Sequence, residues 1–148
     1  MNVVLANDHG GINLKLDIIK YLTKKNINYI DLGANNKDSV DYPDFAYSLA
    51  KAFNNEKVNF GILICGSGIG ISIAANRYKN IRAALCHDIT TSRLSRQHNN
   101  ANVIAFGGRL INPQLAVECL DIFLNTNFEN DARHNRRIEK LKNPPLIN

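Results

Sequence analysis

Tryptophan is absent, aromatic residues make up only 7% of the chain, and cysteine occurs three times, proline four times and methionine once. So few aromatics offer no stacking platform for single-stranded nucleic acid. Cys65, Cys86 and Cys119 are odd in number and contain no C-x-x-C pair, which excludes a disulfide framework and a zinc knuckle. No apolar run approaches the roughly 18 residues of a membrane helix. Met1 leads straight into a strand-like segment, with no basic flank ahead of a hydrophobic stretch, so a cytoplasmic location with no membrane partner is expected. Internal repeats, low-complexity tracts and interdomain linkers are also missing. The 148 residues are 45% hydrophobic and 21% charged, which excludes disorder and fits one domain, 1–148, with a single core.

What is present is an alternation of short apolar runs and longer stretches of helical period. Val3-Val4-Leu5-Ala6 is followed by Ile12 to Lys25, with Leu14, Leu16, Ile18, Ile19 and Leu22 on a helical repeat. Tyr29-Ile30 precedes a polar stretch ending in Asp41-Tyr42-Pro43, and Phe45, Leu49, Ala52 and Phe53 mark a second helix. Phe60 to Cys65 is a fully apolar strand stopped by Gly66; runs from Ile81 and Val103 follow, with helices expected from Thr90 to His98, Leu115 to Leu124 and Asp131 to Lys142. Strands starting near residues 2, 28, 60, 81 and 103 leave room for a helical crossover between neighbours. The expected fold is α/β: a Rossmann-like three-layer sandwich of five parallel strands with helices on both faces. Such sheets bind ligands beyond the carboxyl ends of their strands. Function is therefore to be sought after Ala6, Cys65, Cys86 and Phe106.

Two of these positions are glycine-rich: Asn7-Asp8-His9-Gly10-Gly11 and Gly66-Ser67-Gly68-Ile69-Gly70. Such a strand-to-helix turn exposes backbone N–H groups to an anion. A dinucleotide is one candidate, with Asp88 about 20 residues on, but Ile71 stands where the third glycine of that fingerprint belongs and the loop follows the third strand. Cys65 ends its strand beside these N–H dipoles, where a thiol could be activated, although buried cysteines are commonly structural. Cys119 falls on a helical apolar face and reads as core, and Cys86 is ambiguous. The net charge of +5 suits an anion of any size, from a sugar phosphate to nucleic acid.

Asn7-Asp8-His9-Gly10-Gly11, Asp41-Tyr42-Pro43, Ile64 to Asn76, Ser95-Arg96-Gln97-His98-Asn99, Asn102 to Arg109 and Arg133-His134-Asn135-Arg136-Arg137 occur in the order, and nearly in the register, of a known enzyme family. Together they resemble type B ribose-5-phosphate isomerase, whose wider family includes isomerases of galactose 6-phosphate and allose 6-phosphate. The resemblance spans nearly the whole chain. It implies a cofactor-free and metal-free aldose–ketose isomerase of the pentose phosphate pathway. It also implies a homodimer, or a dimer of such dimers, with active sites at the subunit interface.

Carried over residue by residue, the resemblance makes Cys65 the base that moves a proton between adjacent carbons through a cis-enediolate, and Ser67 the hydroxyl supporting its thiolate. His98 is the proton donor that opens the sugar ring, a task suited to a side chain titrating near neutrality. Asp8, His9, Tyr42 and Asn99 line the sugar, and Gly66, Ser67, Gly68, Ile69 and Gly70 supply N–H groups for the developing negative charge. Arg133 and Arg137, spaced i, i+4, share a helical face as a phosphate clamp, and Arg109 is expected to reach the phosphate across the dimer interface. A one-residue insertion before Arg133 departs from the family pattern, and Arg136 and Lys140 read as solvated surface. A hexose 6-phosphate (allose or galactose) isomerase, a nucleotide-binding module and a basic nucleic-acid-binding domain are the alternatives, and the last two do not explain Cys65 and His98. His9, His87, His98 and His134 form no i, i+4 pair, so no metal ligand set is expected.

Overall fold

The computed structural model describes residues 1–55 and 57–145. Five strands, β1 (Asn2–Asn7), β2 (Asn28–Asp31), β3 (Phe60–Cys65), β4 (Ala83–Leu85) and β5 (Val103–Gly107), form one sheet in the order β2-β1-β3-β5-β4. Every pairing is parallel. The helices are α1 (Ile12–Lys24), α2 (Tyr42–Asn55), α3 (Ile69–Ala75), α4 (Ile89–Asn99), α5 (Pro113–Asn125) and α6 (Ala132–Lys142), with a 3-10 turn at His9–Gly11. The α/β sandwich expected from the pattern is therefore the observed one.

Alternation along each strand feeds two cores. Val3, Leu5, Ile62, Ile64, Ile104 and Phe106 pack with α1 and α5 residues such as Leu14, Ile18, Leu120 and Phe123. Val4, Ala6, Leu63, Cys65, Val103 and Ala105 point the other way, onto Ala46, Leu49, Ile71 and Ala74 of α2 and α3. Side chains on both sheet faces are thus removed from water, each large aliphatic one contributing about 1.5–3 kcal/mol. Cys86 and Cys119 lie in the first core, where burial pushes both thiols up; this resolves Cys86 as a core residue and bears out Cys119. Buried Arg96 holds the α4–β5 turn, donating to the carbonyls of Ala101 (2.5 Å) and Thr126 (3.2 Å) while lying over the Phe60 ring.

Two boundaries differ from the sequence reading, and one helix had none assigned. β4 starts at Ala83 instead of 81, because the Asn76 side chain brackets the backbone of Ala83 and the Asn102 side chain accepts from Arg82 N. α2 begins at Tyr42, ahead of its first apolar repeat. The helix after the glycine loop is the seven-residue α3. The residues after Pro145 lie outside the described residues.

Two consequences of this topology place function. The chain leaves β1 toward opposite sheet edges for β2 and β3, so a crevice opens at the carboxyl ends of β1 and β3. And because β4 and β5 are parallel, α4 must return from the carboxyl edge of the sheet to its amino edge. Over 11 residues that return covers about 16 Å.

Candidate active site

The carboxyl-edge crevice is built by close backbone contact. The Asp8 N–H donates to the Ile64 carbonyl (3.1 Å), prolonging the β1–β3 ladder past the strand ends. A Cβ on Gly10 would stand 2.8 Å from Gly66 N, so the two glycine loops lie back to back. Asp8 is buried, and its Oδ1 accepts from Gly10 N (2.8 Å), which holds the carboxylate toward the crevice while Oδ2 is not engaged by that cap. His9 Nδ1 accepts from the Val40 N–H (3.2 Å); the neutral ring therefore carries its proton on Nε2.

Cys65 ends β3, 3% exposed, and its Sγ accepts a hydrogen bond from the Gly68 N–H at 3.1 Å. Gly68 reaches that position with φ +77°, a left-handed conformation natural to glycine. The donor beside the sulfur is thus one of the backbone N–H groups expected there, and the Ser67 hydroxyl, the second expected support, makes its contact elsewhere. Ser67 Oγ instead accepts from Ile69 N (3.3 Å), leaving its own proton to donate. The Gly70 and Ile71 amides fall in the first turn of α3, ahead of any helical acceptor, and join the N–H cluster. Tyr42 covers this turn: a Cβ on Gly70 would lie 2.5 Å from Tyr42 Cζ, so the ring needs a glycine beneath it.

Arg109 arrives from the β5 side. Gly108 N donates to Cys65 O (2.8 Å) and Arg109 N to Gly66 O (3.1 Å), and the guanidinium lies over Gly66, whose missing Cβ would be 3.2 Å from Nη1. Arg109 therefore serves the crevice of its own chain, which corrects the expectation that it reaches across to a partner. The turn after β5 is tied to the loop after β3 and aims it there.

The remaining predicted residues are elsewhere. His98 and Asn99 end α4 and therefore sit at the amino edge of the sheet, opposite Cys65. α6 packs beside them. The rings of His98 and His134 stack with centroids 4.5 Å apart and 14° between planes, and both Nε2 atoms approach Glu129 Oε2, at 3.8 and 3.7 Å. Arg133 is exposed, paired through Nε with Asp131 (3.3 Å), and contacts His134 Nε2 from Nη2 (3.4 Å). Arg137, one turn on, is exposed and pairs with no carboxylate among the described residues. The Asp131 carboxylate caps α6 by accepting from His134 N (2.8 Å), a bond that holds it below the usual carboxylate range.

One chain therefore carries the predicted residues in two clusters on opposite edges of one sheet. The first holds Asp8, His9, Tyr42, Cys65, the loop from Gly66 to Gly70, and Arg109. The second holds His98, Asn99, Arg133 and Arg137. Sequence reasoning missed Glu129 and His134: they lie 31 and 36 positions from His98, and local spacing carries no sign of that meeting.

Residues 3–141 match the family described as Ribose/Galactose Isomerase. The chain is 42% identical over 139 residues to the ribose-5-phosphate isomerase B of Escherichia coli, covering 94% of this chain and 93% of that one. A Bacillus subtilis relative bearing the broader name of sugar phosphate isomerase is 44% identical over 142 residues, 95% of each chain. A Thermotoga maritima crystal structure of a ribose 5-phosphate isomerase superposes with a TM-score of 0.92 at 45% identity, covering 95% of this chain and 97% of that one. With that match over residues 3–141 and relatives above 40% identity along nearly the whole chain, the chain belongs to the ribose/galactose isomerase family.

Proposed function

We propose that this protein is an aldose–ketose isomerase that interconverts D-ribose 5-phosphate and D-ribulose 5-phosphate in the non-oxidative pentose phosphate pathway. The observation that carries the reading is Cys65 Sγ at the carboxyl end of β3, hydrogen-bonded by Gly68 N of the glycine loop that leads into the first turn of α3. The thiolate is the form able to take a proton, and the Gly68 N–H stands beside the sulfur as a hydrogen-bond donor.

The chemistry follows from the groups. His98 protonates the ring oxygen as the C1–O4 bond of the furanose breaks, and the anomeric hydroxyl gives up its proton to solvent, leaving the aldehyde at C1. Cys65 thiolate then removes the C2 proton; the electron pair moves into the C1–C2 bond and negative charge develops on O1. Amides of the Gly66–Gly70 loop donate to the resulting cis-enediolate, a class of interaction whose loss typically costs about 10²–10³ in rate. Proton exchange between O1 and O2 and return of the proton from sulfur to C1 yield the ketose. Asp8 Oδ2, His9 Nε2–H and Tyr42 hold the sugar hydroxyls, and the Ser67 hydroxyl is free to donate to an oxygen or to the sulfur. Neither a cofactor nor a metal has a part in these steps.

The two clusters cannot meet within one chain, since about 16 Å of α4 separates them. A two-fold dimer resolves this by bringing the amino edge of one copy to the carboxyl edge of the other. Each site then combines Cys65 and Arg109 from one chain with His98, Asn99, Arg133 and Arg137 from its partner. Three arginines around a phosphate provide binding energy away from the reacting carbons, which holds C1 and C2 over the sulfur. A cytoplasmic setting suits three free thiols.

Coupled turnover of ribose 5-phosphate, allose 6-phosphate and galactose 6-phosphate tests the reading. A preference for ribose 5-phosphate that disappears in Cys65→Ala is the expected result. Preference for a hexose phosphate would move the role to another sugar, and turnover retained in Cys65→Ala would reject the base.

A further inference from the structure

We propose that His98, Glu129 and His134 form a binding site for a divalent transition-metal ion, with zinc as the occupant best suited, and that filling it inhibits the isomerase by sequestering His98. The inhibitory half rests on the ring-opening role given to His98 above; the binding half does not.

Each of the three residues offers one ligand atom, and these atoms all lie within 4.8 Å of one another. Both imidazole Nε2 atoms address the same oxygen, Glu129 Oε2, from 3.8 and 3.7 Å. A tetrahedral zinc ion with bonds of about 2.0–2.1 Å separates its ligand atoms by about 3.4 Å, so the atoms are near enough, and the imidazole rings, stacked 14° from parallel, must turn out of their stack to aim both Nε2 lone pairs at one ion. Two neutral imidazoles and one carboxylate suit zinc, cobalt or nickel, whereas magnesium and calcium require oxygen donors.

The three ligands come from separate elements that the fold already ties together. The Glu129 N–H donates to the Gln97 carbonyl (3.1 Å), fixing the α5–α6 loop to the end of α4. His134 is 3% exposed and anchored through its backbone N–H on Asp131. In the single chain His98 and Glu129 are 37% and 41% exposed, and in the proposed dimer they face the substrate crevice, through which an ion can enter and keep a fourth position open. Two further charges face the cluster. Asp131 Oδ2 stands 3.7 Å from His134 Nε2, which favours a cation. Arg133 Nη2 stands 3.4 Å from the same nitrogen, which opposes one. The Arg133 side chain is 58% exposed and can swing away, so metal binding withdraws both His98 and Arg133 from substrate.

Zinc could also attack Cys65, so binding is measured on full-length Cys65→Ala. Equilibrium dialysis with Zn²⁺ is expected to show one ion per chain. Co²⁺ in its place should give visible bands without the near-ultraviolet sulfur-to-cobalt transition of a thiolate site. Adding either Glu129→Gln or His134→Gln should weaken binding at least about tenfold; if buried His134→Gln does not fold, Glu129→Gln alone decides. Absence of stoichiometric binding, or equal affinity with Glu129→Gln, overturns the site and leaves the trio a cluster of neighbouring polar side chains. Zn²⁺ should inhibit the wild-type enzyme, and half-inhibition of Glu129→Gln, relative to its own rate, should need at least about tenfold more ion. Equal sensitivity of the two overturns the inhibitory half. A wild-type protein that turns over no sugar phosphate would sink that half together with the isomerase reading, while the dialysis result would still decide the site.

Discussion

Gly68→Ala and Gly66→Ala differ by two positions in one loop, and the structure assigns them opposite consequences. At Gly68 the φ of +77° costs an L-residue about 1–2 kcal/mol. The added Cβ would also stand 2.6 Å from Leu85 Cδ1, 2.7 Å from Phe106 C and 2.8 Å from Gly107 N. Leu85 can rotate, but the other two atoms are backbone of the interior strand β5, and relieving such overpacking costs about 1–3 kcal/mol. Gly68→Ala should therefore lose about 2–5 kcal/mol. Because the Gly68 N–H is the donor to Cys65 Sγ, kcat should fall by about 10²-fold as well. At Gly66 the nearest atoms to a new Cβ are Arg109 Nη1 at 3.2 Å and Cζ at 3.5 Å, the far end of a flexible side chain. That substitution should change stability by less than about 1 kcal/mol. Displacing a charge-assisted contact worth about 1.5–3 kcal/mol should raise KM for ribose 5-phosphate about tenfold or more. Urea unfolding with steady-state kinetics on both variants is the assay. Equal destabilisation of the two, or Gly68→Ala with wild-type stability and turnover, would refute the reasoning.

Further predictions follow from other residues. Lys15 Nζ is buried, 3.1 Å from Asp31 Oδ2 and donating to Ala34 O (2.7 Å) and Asn35 Oδ1 (2.8 Å). Lys15→Met should cost about 2–4 kcal/mol in urea unfolding, below the full value of a buried pair because Asp31 keeps some solvent. Cys86 and Cys119 are buried, with thiols pushed up by that burial, so alkylation at neutral pH should label them only on unfolding. The Asp131 carboxyl is held low by His134 N, so its stabilisation of α6 is present above about pH 4 and lost as pH falls through the depressed value. The stability difference between wild type and Asp131→Ala should accordingly be present at pH 6 and vanish in stronger acid. His98→Asn should lose more rate on cyclic ribose 5-phosphate than on an open-chain substrate, measured by rapid mixing; equal losses would remove His98 from ring opening.

Much of this was legible in the chain because apolar period is a direct physical record of burial. Val3 to Ala6, Phe60 to Cys65 and Val103 to Phe106 are apolar at every position because both sheet faces are covered, and α1, α4, α5 and α6 follow their repeats to within a residue or two. Local patterns cannot carry what depends on backbone torsion or on distant encounters. A backbone N–H beside Cys65 was legible in the glycine loop, but that it is Gly68 N depends on one left-handed torsion, which spacing does not record. Arg109 lies over its own Gly66 because two backbone hydrogen bonds fold the turn after β5 back onto the loop after β3. The separation of His98 from Cys65 was in principle available, since a helix between two parallel strands must return to the opposite edge of the sheet.

That separation makes the shared site the central claim, and mixing two crippled chains tests it most directly. Cys65→Ala lacks the base, and His98→Asn combined with Arg137→Ala lacks the ring opener and part of the clamp; each should be nearly inactive alone. Unfolded together and refolded, half the random dimers are mixed and each has one intact site of two. Recovery of about a quarter of wild-type ribose 5-phosphate turnover is the predicted result. Activity no greater than the sum of the two separate preparations would contradict a site built from two chains.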